Sequence, residues 1–156
     1  MKTFKNIIEI LTKNNETIAT MESCTGGGVA NAITSIEGAS SVLKFSAVTY
    51  SNEYKIKMGV DEKIIDQYSV YSMETAKSMS KAISDFAHAT YGVGITGKLN
   101  RADENNNFGK DNEVFISIYE HDNYHTFSLV VDKLSRAENK EVIIEKIIEE
   151  LENIIS

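Results

Sequence analysis

A β-branched run, Thr17-Ile18-Ala19-Thr20, breaks into Met21-Glu22-Ser23-Cys24-Thr25-Gly26-Gly27-Gly28 and resumes as a small-residue, apolar stretch. Strand, glycine-rich turn and helix in that order commit the start of the chain to an α/β unit, because the helix must pack back on the sheet. The turn also gathers hydroxyls and backbone N–H groups at one point. Glycines let the main chain approach a ligand, and the first amides of a helix have no partner within it. That arrangement suits attack on a carbonyl, stabilisation of an oxyanion, or the holding of a phosphate.

The remaining elements follow from periodicity. Phe4, Ile7, Ile8 and Leu11 lie at helical spacing and predict a helix ending near Asn14-Asn15. A helix is expected through Val29, Ala30, Ile33 and Ile36, a loop over 37–41 and a strand over 42–51. Asp61-Glu62-Lys63 starts a short helix, and Ser72 caps a longer one over 73–91. A short buried strand covers 93–96, and strands over 113–119 and 124–131 form a hairpin around His121-Asp122-Asn123. Ser135-Arg136-Ala137-Glu138 is a capping-box pattern that opens a last helix, with Val142, Ile143, Ile147, Leu151 and Ile154 on its inner face. The alternation predicts a single layered α/β domain over 1–156, its sheet mixed because of the late hairpin and its helices packed on that sheet. The polar stretch 97–112 has no periodicity and reads as a long loop, either functional or a solvated connection.

Composition removes several functions. With 42% apolar and 25% charged residues the chain is globular rather than disordered. A net charge of −7 and the lack of a basic block argue against a nucleic-acid partner, while leaving room for a local pocket for one small phosphate. Cys24 is the one cysteine, so no internal disulfide forms, and no Cys/His cluster is present to bind a metal. No apolar run approaches the ~20 residues of a membrane span, and the amphipathic N-terminus is no signal peptide. A cytoplasmic protein without a membrane partner is expected.

Ser23 is a poor nucleophile unless a base takes its proton. Histidine is the usual base, but His88 falls inside a predicted helix and His121 and His125 flank a hairpin turn, so all three read as surface or packing residues. A lysine serves instead if desolvation or a neighbouring cation keeps it neutral. Lys55 qualifies because it follows an apolar strand and the polar group Thr49-Tyr50-Ser51-Asn52, although spacing alone also fits a solvated helix lysine. Cys24, with no histidine in support, reads as a buried small hydrophobe.

Three motifs together resemble the CinA C-terminal domain family: Glu22-Ser23-Cys24-Thr25-Gly26-Gly27, then Val48-Thr49-Tyr50-Ser51-Asn52-Glu53-Tyr54-Lys55, then Gly92-Val93-Gly94-Ile95-Thr96-Gly97. Their order and spacing agree over nearly the whole chain. Stand-alone members of that family are nicotinamide-nucleotide amidases. The resemblance therefore implies a serine–lysine amidase, needing no cofactor, that converts nicotinamide mononucleotide to nicotinate mononucleotide and ammonia. On this likeness Ser23 matches the nucleophile, Lys55 its general base, and Thr96 a hydroxyl that hydrogen-bonds near the lysine. Thr25, Gly26, Gly27, Tyr50 and Asn52 match the pocket, and Arg136 and Lys140 match basic residues facing the phosphate. The expected partner is a small pyridine nucleotide, and a homo-oligomer, most simply a dimer, is expected. The sequence departs from the family after Thr96-Gly97. It continues Lys98-Leu99-Asn100-Arg101-Ala102-Asp103 in place of Ile-Ala-Gly-Pro and a glycine-rich loop, and Leu134-Ser135 replaces the Gly-Asp before the arginine. These changes spare the catalytic pair and fall where substrate is chosen. They leave two further readings, the same mechanism on another small amide or a nucleotide-sensing module without catalysis.

Overall fold

The computed structural model describes residues 2–100 and 111–155. Helix α1 (Lys5–Asn14) leads into strand β1 (Ile18–Glu22), and α2 (Gly28–Thr34) connects it to β2 (Leu43–Val48). Helices α3 (Asn52–Lys57), α4 (Glu62–Tyr68) and α5 (Met73–Ala87) precede β3 (Tyr91–Gly97). The hairpin β4 (Glu113–Glu120) and β5 (Asn123–Val130) and the long helix α6 (Arg136–Ile155) complete the fold.

One five-stranded sheet has the order β2-β1-β3-β4-β5. β1 runs parallel to β2 and β3, and the hairpin adds β4 and β5 antiparallel. The expected mixed sheet is therefore present, and helices cover both faces. Phe4, Ile7 and Leu11 of α1 and Ile143, Ile147 and Leu151 of α6 pack with Ile18, Ile95 and Ile116 on one face. Ala19, Met21, Ile65, Met79 and Ile83 fill the other, under α4 and α5. β1 is buried along its whole length, which is why the stretch 18–21 reads as a run without polar alternation, closed by the buried acid Glu22.

β3 carries glycine where α5 presses on the sheet. A Cβ on Gly92 would lie 2.1 Å from the Ser80 carbonyl oxygen, and one on Gly94 would lie 2.5 Å from that of Ala76. No side chain fits there, so the Gly-x-Gly spacing sets the distance between helix and strand.

Several boundaries differ from expectation. The helix expected over 73–91 stops at Ala87, where His88 adopts a left-handed conformation (φ 53°) as its C-cap, and Tyr91 opens β3 instead. The strand expected over 42–51 ends at Val48, because Ser51 caps α3 by accepting a hydrogen bond from the Tyr54 amide. The stretch expected to be loop from Gly97 begins later. Gly97 ends β3, and Lys98 and Leu99 are buried. Residues 101–110, Arg101 among them, lie outside the described residues.

The order of connections creates a crevice. From β1 the chain crosses to β2 on one side, then returns past β1 to β3 on the other. Right-handed crossovers put α2 and α5 on opposite faces, so the loops after β1 and β3 diverge. In open α/β sheets ligands bind at such a switch point, beyond the carboxyl ends of the strands.

Candidate active site

Ser23 is the first residue after β1, and its amide donates to the Ile95 carbonyl on β3 (3.1 Å). Parallel pairing places Val48, the end of β2, opposite Glu22. The single turn of α3 then folds Lys55 back over the strand ends, so residues 32 apart in sequence meet. Lys55 is 1% exposed. Its Nζ lies 3.0 Å from Ser23 Oγ and donates to the Thr49 carbonyl at 2.7 Å. As an ammonium, Nζ donates to Oγ. As a neutral amine, favoured by this desolvation, it keeps a lone pair that can accept the Oγ proton.

Gly26 and Gly27 take positive φ (60° and 100°), and the turn closes through Gly26 N–H to Ser23 O and Gly28 N–H to Thr25 O (both 3.0 Å). Among the described residues the amides of Cys24, Thr25 and Gly27 donate to no protein oxygen, that of Cys24 meeting only its own thiol. They are the donors an oxyanion could use. The helix-start amides are not, contrary to the sequence expectation. Fully buried Glu22 accepts from Val29 N and Ala30 N at 2.9 Å and from Thr25 Oγ1 at 2.6 Å. Thr25 therefore has its hydroxyl turned inward and only its amide to offer. Sequence reasoning missed Glu22. The available signal was an acid at the end of a buried strand, just ahead of a glycine turn and a helix start.

Cys24 is buried, and desolvation pushes its thiol from the ordinary 9.0 up to about 12, the nearby Lys55 and Lys140 opposing that rise. It stays protonated and is no nucleophile. Thr96 is fully buried on β3, and its Oγ1 donates to the Val70 carbonyl (2.9 Å). Thr49 Oγ1 is buried with no hydrogen-bond partner.

The outer wall is α6. Arg136 donates from Nη2 to the Tyr50 hydroxyl (2.9 Å), both side chains being exposed. One turn on, the Lys140 ammonium comes within 3.3 Å of where a Gly26 Cβ would stand. The two cations thus face the mouth of the dyad from one helix face, and half-buried Asn52 starts α3 below Tyr50. Lys98 is buried and holds its ammonium 5.2 Å from the centroid of the Tyr71 ring. Beside it, fully buried Asn139 of α6 donates to Asn100 Oδ1 (2.7 Å) and accepts from Lys133 N (2.8 Å), while Asn112 Oδ1 accepts from Asn100 N (2.6 Å).

The histidines lie elsewhere. His88 precedes β3, and His121 and His125 sit at the hairpin end that pairs with the start of β3. All three are therefore at the opposite end of the sheet from Ser23. Among the described residues no group of three His, Cys, Asp or Glu side chains could hold a metal ion, and no helix is long and apolar enough to cross a membrane.

The family model described as the CinA C-terminal domain matches residues 1–155. A protein of Thermoanaerobacter pseudethanolicus described as competence-damage inducible is 44% identical over 92 residues, which is 58% of this chain and 22% of that protein. A CinA-like protein of Endomicrobium trichonymphae is 42% identical over 89 residues, 56% of this chain and 21% of its own length. The chain thus matches only about a fifth of the length of these relatives. Among solved structures, a CinA superfamily protein from Enterobacter cloacae superposes with a TM-score of 0.90 at 20% identity, covering 100% of this chain and 94% of the other. A competence/damage inducible protein from Agrobacterium tumefaciens gives 0.88 at 24% identity, covering 97% and 92%. Both share the fold.

Proposed function

The chain belongs to the CinA C-terminal domain family, and from that premise we propose that it is a serine–lysine amidase that hydrolyses the carboxamide of nicotinamide mononucleotide. The observation that carries this reading is the buried Lys55 amine 3.0 Å from Ser23 Oγ, with its second bond fixed by Thr49 O. A structural lysine would place its charge in water.

Lys55 takes the Ser23 proton as Oγ bonds to the carboxamide carbon. The Cys24, Thr25 and Gly27 amides are the donors for the resulting oxyanion, each contributing about 3 kcal/mol if aimed at it. The C–N bond then breaks, and the proton on Lys55 leaves with ammonia, giving a nicotinoyl ester on Ser23. Lys55 next takes a proton from water, whose oxygen attacks the ester carbon. Collapse returns the proton to Ser23 Oγ and releases nicotinate mononucleotide. Arg136 and Lys140 supply the charge for the phosphate. The site needs no cofactor for these steps, and a cytoplasmic homodimer acting on a small pyridine nucleotide is the form we expect.

Buried Lys98 and Leu99, standing where the family carries small residues, favour a second reading: the same chemistry on another small anionic amide. Incubation with nicotinamide mononucleotide, with ammonia measured and Ser23→Ala run in parallel, tests the main one. Release by the wild type alone supports it. No release from folded protein, with turnover of a different anionic amide, would favour the second.

A further inference from the structure

We propose that Glu22 is a positioning residue of the nucleophile turn: its carboxylate takes up the helix-start donors, leaves the turn amides to the oxyanion, and supports the ammonium formed when Lys55 accepts the serine proton. The proposal rests on the serine–lysine reading.

Two sets of contacts carry it. Glu22 Oε1 accepts from Thr25 Oγ1 and Val29 N, and Oε2 accepts from Ala30 N. All three partners are donors, and an ionised carboxylate satisfies them without presenting a proton of its own. The main-chain oxygen of the same residue accepts from Thr49 N (2.8 Å), and Thr49 O in turn holds Lys55 Nζ. Glu22 is therefore tied to both halves of the pair, through its side chain to the turn that carries Ser23 and through its backbone to the carbonyl that aims Lys55.

Its charge has no opposing ion pair within salt-bridge distance among the described residues. Among the described residues the charges of Lys55, Glu22 on β1 and Lys140 on α6 all reach the protonated Cys24 thiol in the turn, and Lys98, just past the end of β3, stands against Tyr71 ahead of α5. On its own helix Glu53 and Lys57 pair with each other at the surface (3.1 Å). Among the described residues Glu22 is thus an anion that shares this turn with Lys55 and Lys140. Without it Lys55 would hold a proton less readily, and the turn would lose the anchor that keeps three amides unpaired. Glutamine at this position keeps the shape. It removes the charge and places an N–H₂ against Ala30 N–H, two donors facing each other.

The test uses a fluorophosphonate probe, which needs no knowledge of the natural amide: Ser23 Oγ displaces fluoride at phosphorus while Lys55 takes the proton. Labelling rates are measured against pH for the wild type, Ser23→Ala and Glu22→Gln. The wild type should label with a rate that rises through one midpoint, and Ser23→Ala should not label. In Glu22→Gln the midpoint should move to lower pH, on the order of one unit, because removing an anion makes the lysine easier to deprotonate. Its plateau should fall tenfold or more. An unshifted midpoint in folded Glu22→Gln overturns the proposal and leaves the dyad standing. A folded wild type that does not label overturns the dyad itself. If Glu22→Gln does not fold, the side-chain carboxyl carbon of Glu22 is followed by NMR in the wild type. A resonance that stays at its ionised position across the labelling midpoint supports the proposal, and a protonated one sinks it.

Discussion

Replacing Lys55 with methionine removes one nitrogen from a buried pocket and little volume, so its effects on catalysis and on stability separate. Among the described residues the variant loses the hydrogen bonds to Ser23 Oγ and to the Thr49 carbonyl. The stranded carbonyl costs about 1–3 kcal/mol. Against that, an amine that is 1% exposed no longer has to be desolvated, and a thioether is at home there. The net change should be within about 2 kcal/mol, or roughly 4–8 °C in Tm for a chain of this size. The catalytic loss is far larger. A general base contributes about 10²–10⁴-fold, and groups that act as one unit lose nearly everything when either goes. Ammonia release should therefore fall at least 10³-fold in Lys55→Met, Ser23→Ala and the double variant alike. Urea denaturation beside steady-state kinetics checks both halves. Lys55→Met within tenfold of wild type, or a double variant whose losses multiply, would refute a coupled pair.

Arg136→Ala should raise KM for the mononucleotide at least tenfold with kcat nearly unchanged, since a phosphate remote from the amide adds uniform binding; the riboside, which lacks that phosphate, should show no such loss. Thr49→Val removes a buried hydroxyl that has no partner and keeps its shape, so urea denaturation should show a gain on the order of 1 kcal/mol. Cys24 gives a pH signature. Its thiol is raised from 9.0 to about 12 in the folded protein, so above pH 9 the unfolded chain loses a proton that the folded one keeps, and stability falls as pH rises. The wild type should lose up to about 1.4 kcal/mol per pH unit between 9 and 12 that Cys24→Ala does not lose, read from denaturation curves of the two proteins.

The sequence carried the parts of this fold that depend on local pattern. The Phe4-Ile7-Ile8-Leu11 stripe, the Ser72 cap and the hairpin around Asp122 all come from short-range chemistry and stand where periodicity put them. The boundary at Ala87 did not show, because residues 88–91 suit a helix as well as a turn, and only pairing of Tyr91 with Ile18 decides for the strand. The helix over Asn52–Lys57 is a single capped turn, too short for periodicity to register. The candidate site was legible as motifs and illegible as geometry. That Lys55 reaches Ser23 depends on the β1–β2 register, which no spacing records. The use of the α2 amides by Glu22 depends on the direction of one side chain.

The cations of the site divide their tasks by burial. The chain has 23 acidic against 16 basic side chains, yet Lys55, Lys98, Arg136 and Lys140 gather at one end of the sheet. Arginine at 55 could never give up its proton, and a lysine at the exposed position 136 would lose the planar fork that grips phosphate. The buried position thus requires lysine, and the exposed one is best served by arginine. Their shared field works in sequence. Before substrate arrives it opposes protonation of Lys55 and draws an anion toward the crevice. If the substrate is the proposed mononucleotide, its phosphate would cancel much of the charge on Arg136 and Lys140, which would make Lys55 a stronger base at the moment Ser23 must lose its proton. On this reading the phosphate is more than a handle for affinity, and Glu22 keeps the lysine from being too weak a base in the meantime.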